Sequence, residues 1–418
     1  MVATPVKPAI GIEVAKPTVG SYIKDYWGRV RGGDLGTLPA VLGLIVLSLI
    51  FGIARDTFFS SLNFANLFNQ SAQVVFIAMG LVFVLLLGEI DLSAGYASGV
   101  CGAVMAILLT HHGWPWYGAI AAALLSGLVI GVLLGVLVAK VGIPSFVVTL
   151  AAFLGFQGLL LVLLGGGTNI TITNTFVVKL NNGNVPVLWS WILAIVAVAA
   201  YALSQLNKVR TRTRRGLLAD PMGIVAARII ALAVVILLAT YFLTRQRAVN
   251  PAITSVKGVP IVVPILAAFL VIWTFVLGRT SYGRHVYAVG GNSEAARRAG
   301  IPVDRIRISV FVIGSFMASI GGILAVSRAN SVDPATGGSN ILLYSVGAAV
   351  IGGTSLFGGR GKAIHAIIGG AVIAVIDNGM GLLGLSSGTK YLFTGLILLI
   401  AASVDALARR RAGAAPRP

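Results

Sequence analysis

The chain has 418 residues, 57% of them hydrophobic and only 10% charged, with a mean hydropathy of +0.96 and a formal net charge of +19. A soluble domain of this length carries about a quarter of its residues as charges, so a soluble enzyme or binding module is excluded. The 31 Lys and Arg cluster in a few segments between apolar runs, without aromatic–basic platforms, so membrane topology explains the charge and nucleic acid does not.

The first segment, 1–36, contains "MVATPVKPAIGIEVAKPTVG" and lacks an h-region and a cleavage site. It is expected to be a cytoplasmic tail and not a secretory signal. Apolar runs long enough to cross a bilayer follow at about 38–54, 71–87, 95–110, 117–140, 146–164, 189–206, 228–244, 259–277, 306–327, 363–384 and 389–406. A shorter run, 344–357, suits a half-helix or re-entrant segment. The expectation is an all-α polytopic membrane protein with about twelve membrane segments, one of them short. The short alternating segments of a β-barrel are missing. The membrane domain is expected over 37–408, with a second tail at 409–418. Cys101 is the single cysteine and lies in an apolar run, so no disulfide framework exists.

With the N-terminus inside and 344–357 taken to cross, 24 of the 31 Lys and Arg fall on the inner side and 7 on the outer. The positive-inside rule then predicts both termini in the cytoplasm. The 165–188 loop, polar and nearly uncharged, is expected outside. Gly127, Gly131 and Gly135 in "GLVIGVLLG" share one helix face, as do Gly95 and Gly99 in "GYASG". Such spacing lets helix backbones approach closely in lipid. "GEIDLSAG" at 88–95 and "GGTSLFGG" at 352–359 share G-x-x-x-L-x-x-G, which either chance or a transporter-type internal repeat would produce.

Chemistry-bearing motifs are few. "GGRGKA" fails as a phosphate loop, because Leu356 stands at the first glycine position and Ala363 at the Ser/Thr. If ATP drives this protein, another chain supplies the ATPase. His111, His112, His285 and His365 have no partners at ligand spacing, so neither a metal site nor an enzyme is expected. Glu89, Asp91 and Asp377 are the acids near or within spans, and an ion-coupled carrier would need such groups. Glu89 and Asp91, two residues apart, would point apart on a helix. Asp91 reads either as an N-terminal cap or as a path residue. Asp377-Asn378 reads either as a kink lining a polar path or as a buried, hydrogen-bonded structural pair.

The most polar interior stretch is "YGRHVYAVGGNSEAARRAGIPVDRIR", Tyr282 to Arg307, on the predicted inner side. Asn292 or Ser293 as cap, an acid in the first turn, late arginines, then Gly300 and Pro302 predict a short helix. It would present Ala295, Ala296 and Ala299 between charges. That suits docking into a groove of a cytoplasmic partner, and equally an ordinary loop touching lipid headgroups.

These motifs resemble one family. "TSYGRHVYAVGGNSEAARRAGI" resembles the cytoplasmic coupling segment of the permease subunits of bacterial monosaccharide ABC importers, the ribose/xylose/galactose class. "GEIDLSAG" resembles that family's G-G-I-D-L-S-V-G, with Glu89 in place of the second glycine. "VIGGTSLFGGRGKAIHAIIGGAVIAVIDNGMGLLG" is similar to its C-terminal signature, and the likeness extends over about 38–408. The spans near 189–206 and 228–244, joined by "NKVRTRTRRGLLADPMG", and the "DNGM" sequence are similar to xylose-type members. The resemblance therefore implies a ten-helix permease core plus two inserted helices. Leu342 and Tyr344 replace acids usual in the family, which leaves the sugar open.

The resemblance also implies partners and roles. A second permease copy, a cytoplasmic ATPase holding ATP and Mg, and a periplasmic or lipid-anchored sugar-binding protein would complete the importer in the bacterial cytoplasmic membrane. This chain itself would bind no cofactor. The ATPase-coupling segment, 279–305, would act through Tyr282, Gly283, Arg284, Ala288, Gly290, Gly291, Asn292, Glu294, Ala295, Ala296 and Gly300. Apart from the resemblance, the candidates for the translocation path are polar groups near or within spans: Glu89, Asp91, Ser93, Thr149, Gln157, Asp377 and Asn378.

Overall fold

A computed structural model describes residues 36–248 and 250–414, with Gly20, Ser21, Lys24, Trp27 and Gly28 before them. The N-terminal tail expected over 1–36 lies almost wholly outside the described residues. Helices dominate: α1 Leu38–Ala54, α2 Ser61–Leu86, α3 Ala94–Thr110, α4 Trp116–Val136, α5 Ser145–Leu163, α6 Thr175–Asn182, α7 Val187–Arg214 and α8 Met222–Thr244. There follow α9 Val262–Arg279, α10 Ser281–Gly291, α11 Ser293–Arg298, α12 Val303–Ala329, α13 Ser339–Ile351, α14 Ala363–Leu382 and α15 Ser387–Ala414. Eight of these are long and apolar enough to cross a membrane; α1, α3 and α13 are shorter apolar helices. Residues 409–414, expected in a tail, continue α15.

Helices α2, α12 and α14 form the centre. Phe76, Phe83, Phe311, Met79 and Met317 are fully enclosed there. Lipid is as apolar as leucine, so close backbone approach holds such helices together. The glycine stripe of α4 does this against α12. A Cβ at Gly127 would come within 2.7 Å of the Ser319 Cβ, one at Gly131 within 2.5 Å of the Val312 Cα, and one at Gly135 within 2.7 Å of the Ile308 Cα. Gly95 and Gly99 differ from expectation: they meet the backbone of Thr336 and Gly337, a loop and not a helix. By contrast, α5, α7, α8 and α9 leave most of their apolar surface open to the surroundings.

Four elements depart from the hydropathy pattern, among them α13, which covers Ser339–Ile351 and so begins five residues before the expected 344–357 run and ends six residues short of its end. Helix α2 begins ten residues earlier than its apolar run, capped by Ser60, whose hydroxyl accepts from Asn63 N at 3.2 Å. Its polar first turns are possible because the amides find distant partners. Asn63 Nδ2 donates to Asn378 Oδ1 at 2.9 Å, and Gln73 Nε2 to Ser98 Oγ at 3.3 Å. The 165–188 loop is also ordered. Strand β1, Ile170–Thr171, pairs antiparallel with β2, Ser331–Val332. Asn174 caps α6, and Asn182 Nδ2 donates to the Ser327 carbonyl at 2.8 Å. This lid covers the C-terminal end of α12, the far end of the bundle. Finally, α7 runs past its apolar stretch to Arg214.

Candidate functional site

The polar stretch sits at the other, near end of the bundle. Thr280 starts α10 by accepting from Gly283 N at 3.1 Å. Gly283 is required at the α9–α10 corner, because a Cβ would overlap the carbonyls of Val276 and Leu277. Sequence reasoning missed α10, although Tyr282, Val286 and Val289 recur at helical spacing. Asn292 then caps α11, accepting from Ala295 N at 2.9 Å. Arg298 Nε pairs with Glu294 Oε1 at 3.1 Å, one turn apart. Gly300 at φ +82 ends the helix, and Pro302 precedes α12.

The coupling residues named from sequence divide into two faces. Arg284, Ala288, Gly291, Asn292, Glu294, Ala295 and Gly300 are exposed, with Ala299 among them. Tyr282, Gly283, Gly290 and Ala296 turn inward. Ala296 is 5% exposed and packs into the main core, so it is not part of the surface knob expected of it. The six-residue α11 can offer one narrow face outward, and Ala295 and Ala299 occupy it.

The inward face bolts the segment to three neighbours. Tyr282 shares a 2.8 Å hydroxyl contact with Ser309 of α12. Burial pushes its phenol up to about 12, the Ser309 bond partly offsetting this, so it stays neutral at physiological pH. Tyr287 Oη donates to the Gly361 carbonyl at 2.7 Å. Gly290 lies on the end of α2, where any Cβ would overlap the Leu86 carbonyl oxygen. The same oxygen accepts from Gly359 N at 2.8 Å. On the exposed side, Asp304 of α12 lies 3.7 Å from Arg297 of α11 and 3.6 Å from Lys140, just beyond α4.

Glycines from three distant segments thus meet at this junction: Gly88, Gly290 and Gly358. A Cβ at Gly358 would come within 2.7 Å of the Gly290 oxygen and 3.1 Å of Gly88 N. The two sequence echoes therefore lie side by side. They do not repeat each other in backbone: Gly88 has φ +75, while its counterpart Gly352 has φ −66. The 352–362 loop is pinned from behind by Thr354 Oγ1, 3.2 Å from His365 Nδ1, which gives that buried histidine a structural role.

The seven path candidates do not converge. Glu89 Oε1 lies 3.1 Å from Arg307 Nε, an ionic contact without hydrogen-bond alignment. Asp91 is 2% exposed, and its Oδ1 accepts from Ser93 N at 2.8 Å and Ser93 Oγ at 2.7 Å, just before α3. This is a local turn of Asp91 onto the fully buried Ser93, the residue before α3, whose side chain makes no cap hydrogen bond. Thr149 is also fully buried, donating to the carbonyls of Ser145 at 2.8 Å and Ile90 at 3.1 Å. Gln157 lies half-buried on α5, whose Gly155 and Gly158 have open space beside them. Asp377 faces Lys390 at 3.7 Å. It stands 14 residues beyond the start of α14, about 21 Å along the axis from the near end. Asn378 is buried, bonded to Asn63 and to Gln70 Oε1 at 3.2 Å. The two neighbours part company: Asn378 is held in a buried hydrogen-bonded cluster, while the Asp377 side chain is 44% exposed beside Lys390, and Asp91 and Asp377 share no site. Among the described residues no group of three or more His, Cys, Asp or Glu could hold a metal ion.

Residues 63–402 match the family described as branched-chain amino acid transport system / permease component. The chain belongs to this permease family. The xylose transport system permease protein XylH of Escherichia coli is 33% identical over 402 residues, covering 96% of this chain and 98% of its own length. XylH of Haemophilus influenzae is 33% identical over 378 residues, covering 90% and 98%. The ribose import permease protein RbsC of Bacillus subtilis is 29% identical over 374 residues, covering 89% and 94%. No solved structure matches. The likeness seen in the motifs thus spans nearly the whole chain. This is a permease subunit of an ATP-binding cassette importer, embedded in the cytoplasmic membrane, and a transport subunit and not an enzyme. ATP hydrolysis belongs to a separate ATPase chain, and the family implies a binding-protein partner too. The ion-coupled carrier is not favoured.

Proposed function

We propose that this chain conducts a monosaccharide, xylose or a related pentose or hexose, through the membrane as half of a homodimeric pore. The relatives named for xylose and ribose support the sugar class. Twelve membrane segments with both termini inside make the near end cytoplasmic, as the 24-to-7 charge division favours. The open face of α5 around Gly155, Gln157 and Gly158 is where a second copy would pack. A sugar-binding protein delivers the sugar at the lid-covered far end, and the ATPases carry ATP and Mg below the near end.

The exposed Ala288, Ala295 and Ala299, flanked by Arg284, Glu294 and Arg298, form the ATPase-docking face. The observation that carries this reading is the two-faced segment 280–300: one face free, the other knit to α2, α12 and the 352–362 loop. Force applied at α11 reaches the end of α2 through Gly290 and the 352–362 loop through Tyr287. Two discrete states of those elements, biased by nucleotide on the partner, are what coupling requires. Glu89–Arg307 ties the next loop to α12 at the same end. In the test, Ala295→Asp leaves insertion and folding unchanged, because the site is exposed, and abolishes ATPase co-purification and uptake. Ala296→Asp, which buries a charge, instead unfolds the segment. Normal ATP-driven uptake by Ala295→Asp would place docking elsewhere.

A further inference from the structure

The inserted pair α7–α8 takes no part in this coupling. The contacts that fasten it to the core gather at the far end. Arg247, buried, donates to Asn184 Oδ1 at 2.6 Å and to the Gly258 carbonyl at 2.9 Å, and also to Leu243 O. Ser190 Oγ accepts from Val259 N at 3.1 Å. Ala65, Leu243 and Val259 form a small apolar cluster there. At the near end the pair carries charge. The apolar part of α7, residues 187–206, is about 30 Å long, enough to cross the hydrocarbon. The helix then continues over Asn207–Arg214, about 12 Å farther.

That extension and its turn hold Lys208, Arg210, Arg212, Arg214 and Arg215. Asp220 offsets only part of it, pairing with Arg228 at 2.9 Å and Arg212 at 3.8 Å. Lys208, Arg210, Arg214 and Arg215 are exposed, with no carboxylate at ion-pair distance among the described residues. The carboxyl-terminal helix dipole favours these cations, but they repel one another at one-turn spacing, and an external anion would relieve that. The turn adds a second feature. Gly216, at φ +67, bends the chain back, and Leu217, Leu218 and Met222 stand 59%, 51% and 59% exposed beside the cations. Apolar side chains among arginines suit the boundary between acyl chains and headgroups better than an aqueous acidic protein surface.

We infer that the near end of α7–α8 is a binding surface for anionic phospholipid, its arginines on the phosphates and Leu217, Leu218 and Met222 in the acyl boundary. The hairpin is then held by protein at one end and by lipid at the other. The test uses the assembled importer in nanodiscs of phosphatidylcholine alone or mixed with phosphatidylglycerol, read by hydrogen exchange over 205–222. Phosphatidylglycerol should slow that exchange, and high salt should reverse the effect. The quadruple variant Lys208→Gln, Arg210→Gln, Arg214→Gln, Arg215→Gln should lose it, with lipid affinity falling about fivefold for each cation removed. The salt and lipid series on the unmodified chain stands even if the variant inserts poorly. Equal exchange in neutral and anionic discs would overturn the inference. So would protection that appears only when the ATPase is added, which would assign the surface to that partner. Neither outcome bears on the docking role of Ala295.

Discussion

The junction at Gly290 gives the sharpest test of how the coupling segment works. In Gly290→Val the new Cβ falls on the Leu86 carbonyl oxygen and within 3.0 Å of Gly359 N. Either α10 lifts off the end of α2, or the Gly359 N–Leu86 O bond opens. Overpacking of this kind costs about 1–3 kcal/mol, and loss of the buried bond adds about 1 kcal/mol. The exposed face of α11 is untouched, so the ATPase should remain bound. The strain falls instead on the passage of force from α10 to α2 and to the 352–362 loop. The assay is sugar uptake and ATP hydrolysis in proteoliposomes, beside co-purification of the ATPase. We predict normal co-purification, continued hydrolysis, and a fall of about tenfold in sugar moved per ATP, for a coupling loss near 1.4 kcal/mol. Full transport per ATP would refute the reasoning. Loss of the ATPase from the complex would show that Gly290 serves docking and not transmission.

Two further variants separate architecture from transport. Asn378→Leu strips partners from Asn63 and Gln70, costing about 1–3 kcal/mol; it should lower the unfolding midpoint in detergent, while uptake per folded molecule stays unchanged. Lost uptake at full stability would return Asn378 to the path. Gly131→Leu drives a side chain into the Val312 Cα at the α4–α12 crossing, so monodisperse protein should largely disappear on fluorescence-detected size exclusion. A folded, active variant would show that this close approach is dispensable.

Much of the membrane architecture was legible because hydropathy and glycine spacing are local signals. The edges of most apolar runs fall within a few residues of their helices, and the Gly127–Gly131–Gly135 stripe packs as its spacing implies. The cap at Asn292 and the stop at Gly300 are equally local. What sequence alone concealed depends on distant partners. The start of α2 looked too polar to be helical until Asn63 and Gln70 met Asn378, some three hundred residues away. Ala296 looked interchangeable with Ala295, and only the roll of α11 against the core distinguishes them. The meeting of Gly88, Gly290 and Gly358 joins three segments whose spacing carries no common period. Asp91 and Asp377, alike in sequence as acids near spans, have nothing in common in place or partner.

The chain's single cysteine, Cys101, is fully buried. In Ala295→Cys the only accessible thiol therefore lies on the proposed docking face. A short thiol-reactive photo-crosslinker attached there, in the importer purified from its own membrane, tests the central claim most directly. The account predicts a product joining this chain to an ATPase with a complete phosphate loop, absent for a cysteine placed at Leu154 on the open face of α5. A product formed equally from both positions, or none from position 295 while the ATPase remains in the complex, would contradict it.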